Sequence, residues 1–401
     1  MLEDYIKSNW KNTIRYTPND DGTLIGLPYP YTVPGMGDEF PEMYYWDTYF
    51  TNKGLLLSGM KEQVKNNTCD MLYLVNKYGY MPNGNRTFYL TRSQPPFLSM
   101  MVCDVYKSYG DKEWLKNAYN TLKIEYDFWT NERNTSTGLN QYGGRTNAKE
   151  AKRHADRYRR RVGLPMDDVD DEKLWKHYIA FCESGWDINP RWDFESYNFI
   201  QPDLNSLLYI MEENMRYFSS ECGMGEEEKW KELSKTRKQL MNKYMVDENG
   251  IFLDYNFKKN ELGKIISAAS FYPLFANIAT KEQAKATVSL LEDLESDYGI
   301  ITSKKNETVG NYQWDYPNGW PPLQYIVIKG LENYGYKNEA LRIAKKYSAL
   351  VERVFEETNN LWEKYNMVKG NIEVTNEYKM PPMMGWTAGV YLFCKDYVLN
   401  M

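Results

Sequence analysis

The chain has 401 residues, is 42% hydrophobic and carries a formal net charge of −6 at pH 7. That length and apolar content suffice for a large core, read as one domain over 1–401 with 1–26 as an N-terminal extension. The mildly acidic balance gives no electrostatic footprint for nucleic acid or anionic lipid, which leaves a small neutral molecule as the expected partner.

The opening MLEDYIKSNW lacks an apolar stretch of signal-peptide length, and no later run approaches the ~18 apolar residues of a membrane span. A cytoplasmic monomer is therefore expected. The 5 cysteines are odd in number and lack CxxC spacing, and only His154 and His177 offer imidazole. Neither disulfides nor a metal site nor a cofactor is expected.

In chain order, EMYYWDTYF (42–50) introduces a predicted helix over 48–59, and a second follows over 62–78. RSQPPF (92–97) opens a helix over 95–108. Over 112–130, Leu115, Ala118, Leu122, Tyr126 and Trp129 recur at steps of three and four, an amphipathic pattern. The basic run KRHADRYRRR (152–161) reads most simply as a solvated helix face. ESGWDINPRW (183–192) and QPDLNS (201–206) precede helices over 203–219 and 226–245, and Ile251–Tyr255 is strand-like. Helices over 268–278 and 280–294 lead to QWDYPNGWPP (313–322), which opens one over 321–334. Leu341, Ala344, Tyr347, Val351 and Phe355 mark a helix over 336–356, and MGWTAG (384–389) opens the last, over 384–398.

Every other helix thus has a preface rich in aromatics, amides and acids, while the intervening helices are plainly amphipathic. This alternation predicts an all-α (α/α)6 toroid in which the inner helices' entrances converge on one pocket. Aromatic residues make up 15% of the chain, with 12 Trp and 35 Tyr, and supply the flat apolar faces with polar edges that sugar rings need.

Cleaving a glycosidic bond takes one carboxylic acid to protonate the leaving oxygen and one carboxylate to ready water or attack the anomeric carbon. Spacing alone cannot choose the pair from 55 acidic residues. Asp187 stands out because Gly185 permits an unusual backbone approach and Trp186 and Trp192 can bury a carboxyl. As an isolated residue Asp187 is a helix cap, and Glu363 in LWEKYN a surface glutamate.

From about Leu27 onward the quoted loops resemble the trehalase family. PYPYTVPGMGDEFPEMYYWDTYF is similar to that family's first signature and QWDYPNGWPP to its second. NGNRTFYLTRSQPP, SGWDINPRW, QPDLNSLL, WEKYN and GWTAGV fall in the family's order. The resemblance implies an inverting glycoside hydrolase with Asp187 as general acid and Glu363 as general base. It also implies sugar contacts from Phe40, Trp46, Asp47, Asn83, Arg92, Gln94, Glu150, Gly185, Trp186, Trp314, Asn318, Trp320 and Trp386. Glu377 matches an acidic position in the family's lid, although the lid's glycines are missing here.

Two departures bear on substrate. Glu39 in PGMGDEF stands where trehalases carry a sugar-binding arginine, and Ala148 stands where they carry another. A replacement arginine from the basic run, or an anionic substrate group, is the sharper reading of 152–161. The implied substrate is α,α-trehalose or a close α-linked disaccharide. A glycosidase with another leaving group, such as glucosylglycerate, and a noncatalytic sugar-binding toroid are the alternatives.

Overall fold

The structure is a computed structural model that describes residues 2–37, 39–146, 148–163, 169–308, 310, 312–374 and 384–401. Its helices are α1 (Leu2–Asn9), α2 (Tyr45–Leu57), α3 (Lys61–Tyr78), α4 (Leu98–Tyr109), α5 (Lys112–Glu132), α6 (Ala148–Val162), α7 (Asp171–Glu183) and α8 (Pro202–Cys222). They continue with α9 (Glu227–Tyr244), α10 (Tyr272–Phe275), α11 (Lys281–Ser289), α12 (Leu291–Leu294), α13 (Pro321–Asn333), α14 (Lys337–Thr358) and α15 (Gly385–Asn400).

The expected toroid is present. Helices α2, α4, α8, α10, α13 and α15 pack each against the next, and α15 returns onto α2 to close the ring. On the outside, α3 covers α2 and α4, α5 covers α4 and α8, α9 lies on α8, and α14 lies on α13 and α15. The closing contact is backbone to backbone. A Cβ on Gly389 would lie 2.0 Å from the Phe50 carbonyl oxygen, and one on Gly54 would lie 2.7 Å from the Gly389 Cα. Two glycines therefore set how closely the first and last inner helices approach.

Position along the ring follows from local chemistry. Pro202 and Pro321 occupy the first turns of α8 and α13, where a missing N–H costs nothing. At α10 the sequence Tyr272-Pro273 limits the helix to one turn behind a 3-10 segment over Ala268–Phe271, so the expected helix over 268–278 is only partly α-helical. The helix expected over 280–294 divides into α11 and α12. Leu2 and Ile6 of α1 and Trp10 after it are buried in the main core, and the Trp10 indole donates to Ser58 Oγ at 2.9 Å.

Helices α6 and α7 pack on each other and bring a small second core that includes Ala155, Tyr158, Leu174, Tyr178, Phe181 and Trp192. Strand content is slight: β1 (Ile14–Arg15), β2 (Tyr31–Thr32), β3 (Phe199–Ile200), β4 (Tyr255–Asn256), β5 (Glu261–Leu262), β6 (Asn318–Gly319) and β7 (Tyr365–Asn366). The antiparallel pair β6–β7, with Asn318 opposite Asn366 and Gly319 opposite Tyr365, ties the 313–322 loop to the LWEKYN segment. No helix among the described residues is long and apolar enough to cross a membrane.

Candidate active site

One cavity of about 140 Å³ opens where the inner helices begin. It is lined by Pro34, Phe40, Tyr44, Trp46, Asp47, Asn83, Tyr89, Arg92, Gln94, Gly185, Asp187, Gln313, Trp314, Trp320, Glu363 and Trp386. Asp187 and Glu363, 176 positions apart in sequence, thus face the same space.

Asp187 lies on a tight turn after α7. Gly185 adopts φ +73°, and a Cβ there would lie 2.8 Å from the Trp46 ring, so only glycine fits. Ile188 has φ +48°, a conformation a β-branched residue adopts only under constraint. The constraint is visible: Asn189 Nδ2 donates to the Trp186 carbonyl at 2.7 Å, and Ser184 Oγ accepts from the Trp186 N–H at 3.1 Å.

The buried Glu183 joins this turn to the 92–97 loop. Its carboxylate accepts two bonds from Arg133, at 2.7 and 2.8 Å, and one each from the backbone N–H groups of Ser93 (2.9 Å) and Gly143 (2.6 Å). The bidentate Arg133 pair fixes the carboxylate, and the Ser93 bond ties the loop that carries Arg92 and Gln94 to the end of α7, just before the turn that carries Asp187. Arg92 is held in turn, with Nε donating to Asn83 Oδ1 at 2.9 Å.

Glu363 is buried at the far side. Its backbone carbonyl accepts from the Trp386 indole at 3.0 Å, and its Oε2 lies 2.8 Å from Nζ of Lys364. Asp47, in the first turn of α2, is also buried. Burial pushes its carboxyl up to about 8, and the nearby Glu363 and Asp187 add to the effect. Asp47 is therefore a neutral carboxyl at pH 7, able both to donate to and to accept from sugar hydroxyls. The walls are aromatic. Trp314 and Trp320 stack in parallel at 3.8 Å between ring centroids, with Trp46 5.6 Å from Trp314 and Trp386 edge-on to Trp320 at 5.8 Å.

Three expected sugar contacts are placed differently. Trp186 does not line the cavity; it is fully buried and stacks behind Trp314 at 5.4 Å, with the Arg191 guanidinium 4.4 Å from its own ring. Asn318 does not line it either, because its side chain donates 2.8 Å to the Gln313 carbonyl within the loop. Glu150 lies in the first turn of α6 and is not one of the lining residues. Glu377 lies outside the described residues. Pro34, Tyr44, Tyr89 and Gln313 line the cavity without having been expected there. Tyr44 and Tyr89 share a hydroxyl–hydroxyl hydrogen bond of 2.8 Å, and the YY pair before Trp46 was the available signal for the first of them.

Glu39 also turns out differently. It lines a separate cavity with Tyr5, Met36, Gly37, Asn360, Leu361 and Met384 and is not among the residues lining the first. The basic run divides. Lys152, Arg153, Arg157 and Arg160 are exposed, as a solvated face requires, but both Nη atoms of Arg161 reach Asp187 Oδ2, at 3.3 and 3.2 Å. Burial pushes His154 and His177 down to about 4, so both are neutral imidazoles at pH 7. Among the described residues no group of three or more His, Cys, Asp or Glu is placed to hold a metal ion.

A sequence profile of the trehalase family matches residues 2–398. The chain belongs to the trehalase family. It is thereby a glycoside hydrolase of the trehalase type. Periplasmic trehalase from Xanthomonas oryzae pv. oryzae is 32% identical over 98% of this chain and 72% of its own length. Periplasmic trehalase from Shigella flexneri is 30% identical over 99% and 74%. The neutral trehalase of Saccharomyces cerevisiae superimposes with a TM-score of 0.79 at 30% identity, over 98% of this chain and 79% of that one. A GH63 mannosylglycerate hydrolase from Thermus thermophilus shares the fold, with a TM-score of 0.70 at 16% identity over 98% and 99%.

These relatives correct the expected compartment. Curated trehalases similar to this chain are named periplasmic, which points away from the cytoplasm. The cytoplasmic expectation rested on the composition of ten N-terminal residues, and that composition carries no address.

Proposed function

We propose that this chain hydrolyses α,α-trehalose with inversion, Asp187 acting as general acid and Glu363 as general base. The observation that carries this reading is that both carboxyls line one cavity, together with the buried Asp47 and four tryptophans. A glucose ring in this cavity has apolar contact with the aromatic walls and hydrogen-bonding groups from Asp47, Asn83, Arg92 and Gln94.

In the reaction Asp187 gives its proton to the glycosidic oxygen as the C1–O bond breaks. Glu363 takes a proton from the water whose oxygen forms the new C1–O bond on the opposite face. The products are one β-glucose and one α-glucose, and Asp187 regains its proton from solvent while Glu363 loses one. Because water must fit beside Glu363, the inverting course favours carboxyl groups about 6.5–9.5 Å apart.

The testing experiment is NMR of the first-formed anomers from trehalose, with Asp187→Asn and Glu363→Gln assayed beside the wild type. Each variant is expected to lose about a hundred- to ten-thousandfold in kcat. α-Glucosyl fluoride, whose leaving group needs little protonation, is expected to rescue Asp187→Asn in part and Glu363→Gln not at all. Equal rescue of both would overturn the roles, and a strong preference for glucosylglycerate over trehalose would overturn the substrate.

A further inference from the structure

Two arginines of the basic helix α6 turn away from solvent: Arg159 pairs with Asp171 of α7, and Arg161 reaches Asp187. His154, Ala155 and Tyr158 form the helix's buried face, with His154 stacked on Tyr178 at 5.7 Å and Tyr158 tilted against Phe181 at 5.8 Å. Arg161 follows His154 by seven residues and Tyr158 by three, which puts it on that same face, while Lys152, Arg153, Arg157 and Arg160 point to solvent. Its guanidinium meets Asp187 Oδ2 through both Nη atoms.

The cavity has a deep end and an open end. The Glu363 side chain is 5% exposed and Lys364 beside it 0%, whereas the Asp187 and Arg161 side chains are 33% and 22% exposed. An acid that protonates a leaving oxygen stands on the leaving group's side of the scissile bond, and the base stands on the other. The departing ring therefore occupies the open end, where Asp187 and Arg161 meet. Arg161 is not among the cavity's lining residues but meets Asp187 at that end, so its planar guanidinium presents a fork to the hydroxyls of a ring that extends beyond the lining.

We propose that Arg161 is a specificity-determining residue for the leaving group: it holds the hydroxyls of the departing sugar while Asp187 protonates the bridging oxygen. This rests on the glycosidase reading above. It also accounts for how the chain manages with Glu39 and Ala148 in place of arginines, because a cation reaches the leaving-group side from α6 instead. The helix pair α6–α7 stands outside the ring of inner and outer helices and has its own small core, so it can carry this contact without disturbing the barrel.

The test compares kcat/KM on trehalose with kcat/KM on α-glucosyl fluoride, whose departing atom has no hydroxyls for Arg161 to hold. Arg161→Met is expected to lose about ten- to a hundredfold on trehalose and less than about threefold on the fluoride, the first figure being the worth of hydrogen bonds to a charged group. Arg161→Lys, which keeps the charge without the fork, is expected to fall between. Turnover of the fluoride also reports that each variant is folded. Methyl α-glucoside, whose departing methanol needs a proton from Asp187 but carries no further hydroxyls, should also lose less than about threefold; a loss there matching that on trehalose would mean that Arg161 acts only through Asp187, and that outcome, equal losses on trehalose and the fluoride, or no loss on trehalose would overturn the assignment. A wild-type enzyme inactive on both substrates would instead sink the glycosidase reading on which it stands.

Discussion

Lys364 and Glu363, adjacent in sequence, form an ion pair under the candidate site: Nζ lies 2.8 Å from Oε2, with the lysine side chain 0% exposed. The same ammonium donates to Gln313 Oε1 at 3.2 Å and sits 4.6 Å from the Trp320 ring. A buried ammonium and a buried carboxylate are each costly alone and tolerable together. The pair therefore fixes where the carboxylate of the proposed base lies and links it to the loop that walls the cavity.

Lys364→Met is expected to cost about 3–5 kcal/mol of stability, because it leaves Glu363 as an uncompensated buried charge. Activity should fall mainly in kcat. The double variant Lys364→Met/Glu363→Gln should unfold at a higher temperature than Lys364→Met alone, since both charges are then gone. Thermal denaturation of the three proteins checks this, and a double variant no more stable than the single one would mean that the pair is not the source of the loss.

Asp47 gives a pH prediction. Burial raises its carboxyl from an ordinary 3.8 to about 8, so between these values the folded protein holds a proton that the unfolded chain has released. Stability from this group therefore falls as pH rises through that window and is unaffected below it. Asp47→Asn should lose activity yet melt a few degrees higher at pH 8, with a flatter dependence of Tm on pH between about 4 and 8. Asp70, pushed up to about 8, and Glu125, pushed up to about 7, remain to give a residual slope of the same sign.

The ring was legible in the sequence because five of the six inner helices, all but α10, follow a loop of unusual composition, and most of the cavity's lining comes from the quoted loops. Apolar periodicity could not reveal α6: its buried face amounts to Ala151, His154, Ala155 and Tyr158 among charged residues. Nor could it foretell that Arg161 reaches a residue 26 positions away, although that arginine's spacing from His154 and Tyr158 was available. Composition also cannot say which of two similar groups faces inward. Of the amides in QWDYPNGWPP, Gln313 lines the cavity while Asn318 bonds back to the Gln313 carbonyl. Of the aromatics in SGWDINPRW, Trp186 serves as backing for Trp314 rather than as a surface for sugar.

Gly185→Ala tests how tightly the Asp187 turn is built. The added Cβ would enter a residue at φ +73° and approach the Trp46 ring to 2.8 Å, so strain and overlap act together. Expected is a loss of about 2–3 kcal/mol in stability and a drop in kcat, since Trp46 and the turn before Asp187 must both move. Denaturant unfolding alongside steady-state kinetics would measure both, and a fully active, fully stable variant would show that the turn is looser than its dihedrals imply.

The last prediction concerns Arg191, which reaches Asp203 and Asp254 at 2.7 Å each and is sandwiched between Trp186 at 4.4 Å and Trp192 at 4.7 Å. All three charged side chains are at most 4% exposed, so one cation balances two buried carboxylates. The motifs NPRW and QPDLNS thus meet behind the site rather than in it, bracing the aromatic stack against α8. Arg191→Met keeps much of the volume but leaves both carboxylates without their cation, and should cost about 3–5 kcal/mol. The variant should regain stability on acidification from pH 7.5 to 5, because the stranded carboxyls hold protons more tightly folded than unfolded, which makes stability fall with rising pH. Replacing both partners as well, in Arg191→Met/Asp203→Asn/Asp254→Asn, should restore part of the lost Tm and remove that acid-dependent recovery. A single variant whose Tm loss is the same at both pH values would mean that lost packing against the two tryptophans, not the uncompensated charge, is what Arg191 supplies.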